Sequence, residues 1–130
     1  MGDVSRNFDR SDFLCRCAVC AVDPTVLPCT KTEVINALQD MRDLFGQPLV
    51  VDRGVSSKTH NAAIGGSSDS RHLPQHADAI DLACNSSEQA YRIVRSCILL
   101  GKFTFIEVSP KHIHLDMRPG DKRLITGPDK

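Results

Sequence analysis

The sequence predicts an α+β fold in one small domain, with a mostly antiparallel sheet packed by two main helices. Three observations carry this reading. Short apolar runs of strand type are interleaved with two stretches whose apolar residues recur at helical spacing. The last two strand candidates are separated only by Ser109-Pro110-Lys111, so they form a hairpin. A length of 130 residues suits one domain and leaves little room for two.

The elements follow in order. Residues 1–14 are polar apart from Val4, Phe8, Phe13 and Leu14, and read as an arm that docks by a few apolar side chains. Residues 31–45 place Val34, Ile35, Leu38, Met41 and Phe45 on one helical face. Thr30 or Thr32 is the expected cap, and Gly46 then Pro48 end the helix. Leu49-Val50-Val51 reads as a short strand. Residues 54–71 are rich in Gly and Ser and read as a long loop, with a helical turn at Asn61-Ala62-Ala63-Ile64. A loop of that length in a compact domain is usually functional. Residues 79–84 form a second strand. Ser86 with Gln89 resembles a capping box for a helix that ends at Gly101. Residues 103–108 and 112–117 form the hairpin, and 119–130 read as a tail.

Composition narrows the function. Sixteen Lys and Arg balance 16 Asp and Glu, which argues against a nucleic-acid partner. A hydrophobic content of 41% is too high for a disordered chain. The longest apolar run, Cys97-Ile98-Leu99-Leu100, stops at a glycine, far short of the ~20 residues of a membrane helix. Met1 to Arg10 carries no secretory pattern, so synthesis in the cytoplasm is expected.

Six cysteines and five histidines stand out in so short a chain. Cys84 and Cys97 lie in apolar runs and are expected to pack as small hydrophobes. Cys15, Cys17, Cys20 and Cys29 are compatible with a structural metal site, a disulfide or half-buried loop residues, and their spacing is not that of a common zinc ribbon.

The histidines lead further. His112 and His114 alternate on one strand, so they project to one face, and Asp116 follows on that face. Asp81 stands between Ile80 and Leu82, and a carboxylate in apolar surroundings needs a partner. One loop histidine, Asp81 and one hairpin histidine would make the three-ligand set of a catalytic zinc. The alternative is a set of surface or core residues satisfied by hydrogen bonds. His60 and His76 in the loop, and Lys111 in the turn, have plain readings as solvated groups, although His76 could border a cleft.

At these residues the chain becomes recognisable. Ser70-x-His72 with Ala79-Ile80-Asp81-Leu82 resembles the S-x-H and A-x-D signature of the zinc D-Ala-D-Ala carboxypeptidase / murein endopeptidase family (peptidase M15-like, phage type). Glu107 with His112-Ile113-His114 resembles the family's closing E-x(n)-H-x-H segment. Asn61-Ala62-Ala63-Ile64-Gly65-Gly66 resembles its N-x-x-x-G-G stretch, and Asn7-Phe8 through Cys17 its lead-in. The resemblance runs from about residue 7 to residue 120 and implies the hedgehog/DD-peptidase fold, shared with hedgehog signalling domains and many bacteriophage endolysins.

It also implies roles. His72, Asp81 and His114 match the Zn2+ ligands. Glu107 matches the general base, and His112 the histidine that stabilises the oxyanion or orients the water. Asp116 would support a ligand from behind, and Ser70 would lie at the substrate. Two departures accompany the match. Asp81 stands nine positions after His72 where the family has seven, and Asp78 is a rival six positions after it. The family's substrate-binding Arg is replaced by Ser56; Arg53, Lys58 or Arg71 could take its part, of which Arg53 is retained as a candidate. Loss of that anchor favours an endopeptidase over a carboxypeptidase.

The expected activity is therefore hydrolysis of peptidoglycan stem peptides by a monomeric zinc peptidase without nucleic-acid or membrane partners. It would reach the cell wall by lysis or in a virion. A metal-binding module of the same fold with weak catalysis, acting in binding or virion structure, is the alternative.

Overall fold

The structure, a computed structural model, describes residues 2–15 and 29–127. After a 3-10 helix at Arg10–Phe13, the elements are α1 (Thr32–Phe45), β1 (Val51–Arg53), α2 (Lys58–Ala63), β2 (Ala79–Ala83), α3 (Ser87–Leu100), β3 (Phe105–Val108), β4 (His112–Asp116) and β5 (Arg123–Thr126). The five strands form one mixed sheet in the order β1-β2-β4-β3-β5. Three pairings are antiparallel, and β5 joins β3 in parallel. The α+β expectation therefore holds. Among the described residues no helix is long and apolar enough to cross a membrane.

Period-two patterning divides the sheet into two faces. Ile80 and Leu82 of β2, Ile106 of β3, and Ile113 and Leu115 of β4 join one core with Val34, Ile35, Leu38 and Met41 of α1 and Ile93 and Cys97 of α3. Each Ile or Leu so buried contributes about 1.5–3 kcal/mol. Cys84 and Cys97 are buried in this core, as their apolar setting leads one to expect. The opposite face carries Asp81, Glu107, His112, His114 and Asp116, with Phe105 and the β2 alanines among them. The arm docks as expected: Phe8 and Phe13 are buried and tilt against each other.

Four expectations need correction. The first residue before α1 is Lys31, and no side chain of Thr30 or Thr32 caps it. The first strand is shifted to Val51–Arg53, because the pairing with β2 sets its register and leaves Val50 exposed. The long loop contains a full short helix, α2, begun by the Ser57 hydroxyl, which accepts the His60 N–H at 3.0 Å. The stretch read as a tail contains β5, whose backbone pairs with β3 although all four of its side chains are exposed. At α3 the Ser86 cap is as expected, accepting the Gln89 N–H at 3.1 Å, but the Gln89 side chain reaches back to the Asn85 N–H at 2.9 Å, one residue before the cap, so the box is displaced. Cys17 and Cys20, candidates for a metal site or disulfide, lie outside the described residues.

Candidate active site

The sheet register builds the site. Asp81 on β2 is paired with His114 on β4, and His114 is paired on its other side with Glu107 on β3. Arg53 on β1 is paired with Asp81. Directly paired residues share a face. Arg53, Asp81, His114 and Glu107 thus form one row across four strands, on the face away from α1 and α3. Arg53 reaches this face because β1 carries a bulge: Val51 faces Leu82 and Arg53 faces Asp81, so two steps on β1 match one on β2. Bulges of this kind re-aim side chains beside active sites.

His72 arrives from the loop. The Ser70 hydroxyl accepts the His72 N–H at 3.2 Å, which shapes the Ser-x-His turn. The His72 ring is buried, and its Nδ1 lies 2.8 Å from the Gly54 carbonyl. Gly54 has no room for a side chain, because a Cβ there would stand 2.3 Å from the Phe13 carbonyl oxygen. The N-terminal arm thus closes over the residue that orients His72.

Three atoms converge. His72 Nε2 lies 3.2 Å from Asp81 Oδ1 and 3.2 Å from His114 Nδ1, and His114 Nδ1 lies 2.9 Å from Asp81 Oδ1. The outer nitrogens are already committed. A carbonyl can only accept, so His72 Nδ1 carries the proton shared with Gly54. His114 Nε2 donates to Asp116 Oδ2 at 2.8 Å. With both rings neutral, two imidazole nitrogens without protons and a carboxylate oxygen therefore face one another. Such a set of acceptors calls for a cation, and this donor chemistry fits a divalent metal held by His72, Asp81 and His114.

Electrostatics agree. Burial keeps His72 below the usual imidazole range. Burial alone would raise the Asp81 carboxyl, but His72 and His114 outweigh it and hold it well below the usual carboxylate range. Burial opposes charge on His114 as well, yet hydrogen bonds to Asp116 and Asp81 prevail and push its pKa up to about 9. Without a metal, a proton is drawn to the spot that a cation would take.

A cleft of about 660 Å³ opens over the row. Ser70, His72, Asp81, Glu107, His112 and His114 all line it, together with Arg53. The rival Asp78 is elsewhere: it is buried and held by Arg71, whose Nε donates to Oδ1 at 3.0 Å. That pair also occupies Arg71, one of the three candidates for the missing arginine. Ser56 is buried and accepts the Arg53 Nε–H at 2.7 Å, while Asn61 accepts from Arg53 Nη2 at 3.2 Å. Ser56, expected to stand where an arginine would otherwise anchor substrate, thus steadies Arg53. Lys58 is exposed at the start of α2 and does not line the cleft.

His60 is half-buried and lines the cleft, whereas His76 does not line it but pairs with Asp69 at 2.8 Å. Two participants were not singled out in the sequence. Asp52, the extra residue of the bulge, has Oδ2 3.1 Å from His112 Nε2. Arg118 binds both oxygens of Asp116 and lies over the Phe105 ring, 3.7 Å from its centroid. The alternation His114-x-Asp116-x-Arg118 was the available signal for Arg118. The bulge that brings in Asp52 left none.

A family sequence model described as Peptidase M15 matches residues 6–116. No curated protein matches the chain.

Proposed function

The chain belongs to the peptidase M15 family, and on that premise we propose that it is a zinc-dependent hydrolase of peptide bonds in peptidoglycan stem peptides, of endopeptidase or D,D-carboxypeptidase type. The family consists of metallopeptidases acting on peptidoglycan. The observation that supports the reading here is the cross-strand row Asp81, His114, Glu107, completed by His72 from the loop.

His72, Asp81 and His114 would hold the zinc. Bound there, zinc supplies Lewis acidity toward the scissile carbonyl and lowers the pKa of water toward ~7. Glu107, one strand from His114, takes the proton of the attacking water and hands it to the leaving amine. His112, on the same face as His114 and on the cleft wall, would stabilise the oxyanion or orient the water. Arg53, at the Asp81 end of the row, would bind substrate oxygens by guanidinium hydrogen bonds, with Ser70 on the cleft wall. The protein would act as a monomer on the wall, reached by lysis or from a virion.

A zymogram on purified cell wall tests this. Zinc-loaded wild type should clear the wall and Glu107→Gln should not. No clearing by zinc-loaded wild type would favour a binding module over an enzyme. Product analysis then separates release of a terminal D-alanine from cleavage of cross-links.

A further inference from the structure

Asp116 is fully buried, and among the described residues the hydrogen bonds to its carboxylate come from two, His114 and Arg118. Oδ2 accepts the His114 Nε2–H at 2.8 Å. Arg118 supplies the rest: its backbone N–H reaches Oδ1 at 3.0 Å, its Nε reaches Oδ1 at 2.9 Å and Oδ2 at 3.1 Å, and its Nη2 reaches Oδ2 at 2.6 Å. A buried carboxylate bound on both oxygens by a planar fork has one orientation. The lone pair left on Oδ2 is therefore aimed at His114.

A second path joins the same residues. The Arg118 guanidinium lies over Phe105, 3.7 Å from the ring centroid, and Phe105 meets the His114 ring edge-on with centroids 6.0 Å apart. Phe105 is also the sheet partner of Asp116. Arg118, Asp116, His114 and Phe105 thus close a cycle in which the imidazole is held at its nitrogen and against the Phe105 ring.

We propose that Arg118 is the positioning residue for His114. By fixing Asp116 and Phe105 it locks the tautomer with the proton on Nε2 and turns Nδ1 toward His72 and Asp81. Arg118 lies outside the residues matched by the family model, which end at 116. The inference rests on the reading of His114 as a metal ligand and concerns what sets the strength of that ligand. An ammonium cannot reproduce the fork, so lysine is no substitute here.

The test is zinc affinity, measured by competition with a chromophoric chelator, for Arg118→Met, Arg118→Lys, Asp116→Asn and the double variant Arg118→Met/Asp116→Asn. Arg118→Met keeps an apolar stem over Phe105. It should weaken zinc binding about 10–100-fold, and Arg118→Lys should not restore it. The double variant should lose little beyond Asp116→Asn alone, because both act through one hydrogen bond. In zinc-loaded protein labelled with 15N-histidine, His114 should show protonated Nε2 in wild type and a different or mixed pattern in Arg118→Met. Wild-type affinity with an unchanged His114 spectrum in both Arg118 variants would overturn the proposal and leave the metal site standing. A wild type that takes up no zinc would overturn both.

Discussion

Glu107 and His114 are direct partners across the β3–β4 ladder, so the carboxylate proposed as base stands one strand from a proposed metal ligand. The two roles are separable, since Glu107 is outside the converging His72, Asp81 and His114 set. Glu107→Gln is expected to bind zinc as wild type does while hydrolysis falls by about 10²–10⁴-fold. Parallel zinc titration and muropeptide turnover check this. Joint loss of metal and activity would make Glu107 a ligand instead.

Gly127 packs against the same carboxylate. Its N–H donates to the Val108 carbonyl at 2.9 Å, and a Cβ at this position would stand 1.9 Å from Glu107 Oε2 and 2.8 Å from its Cδ. Gly127→Ala must therefore swing the Glu107 side chain. We expect kcat to fall at least about tenfold, equivalent to ~1.4 kcal/mol of barrier, with zinc affinity unchanged. Unaltered kcat would show that Glu107 works from another position.

Cys97 gives a pH dependence unrelated to catalysis. Burial pushes its thiol up to about 12, and Lys122 pulls the other way to a lesser extent. An unfolded cysteine ionises near 8.5. Between these values the unfolded chain gives up the proton and the folded chain keeps it. The unfolded state then binds fewer protons, so stability falls as pH rises. Urea unfolding of wild type and Cys97→Ala should reveal a stability gap that narrows by up to about 1.4 kcal/mol per pH unit above 8.5. A gap independent of pH would contradict this account of Cys97.

The Arg53 end of the row yields a further expectation. Ser56 and Asn61 hold Arg53 on the cleft wall. Arg53→Ala should raise KM for stem peptides more than it lowers kcat, whereas Ser56→Ala should have a weaker effect of the same kind, because it loosens the arginine without removing it. Steady-state kinetics on a defined muropeptide decide. An unchanged KM in Arg53→Ala would remove Arg53 from substrate binding.

Much of this site was legible because it follows local periodicity. His112, His114 and Asp116 share a face by the two-residue repeat of a strand, and Asp81 declares itself by standing among Ile80, Leu82 and other core residues. The choice of Asp81 over Asp78 was harder, since it depends on Arg71, which holds Asp78 from seven positions away through the fold of the loop. β5 was missed because Arg-Leu-Ile-Thr is fully exposed. Its order comes from backbone pairing with β3, which leaves no hydrophobic alternation to read. α2 lacks an apolar stripe and is announced only by its Ser57 cap. Asp52 escaped notice because a bulge suspends the alternation on which such readings depend.

The central claim is that His72, Asp81 and His114 hold the metal. X-ray absorption at the zinc edge of protein loaded with one equivalent tests it most directly. Zinc on these three residues gives a shell of nitrogen and oxygen at about 2.0–2.2 Å, with the multiple scattering of two imidazoles and no sulfur. A sulfur shell at about 2.3 Å would put the zinc on cysteine and contradict it.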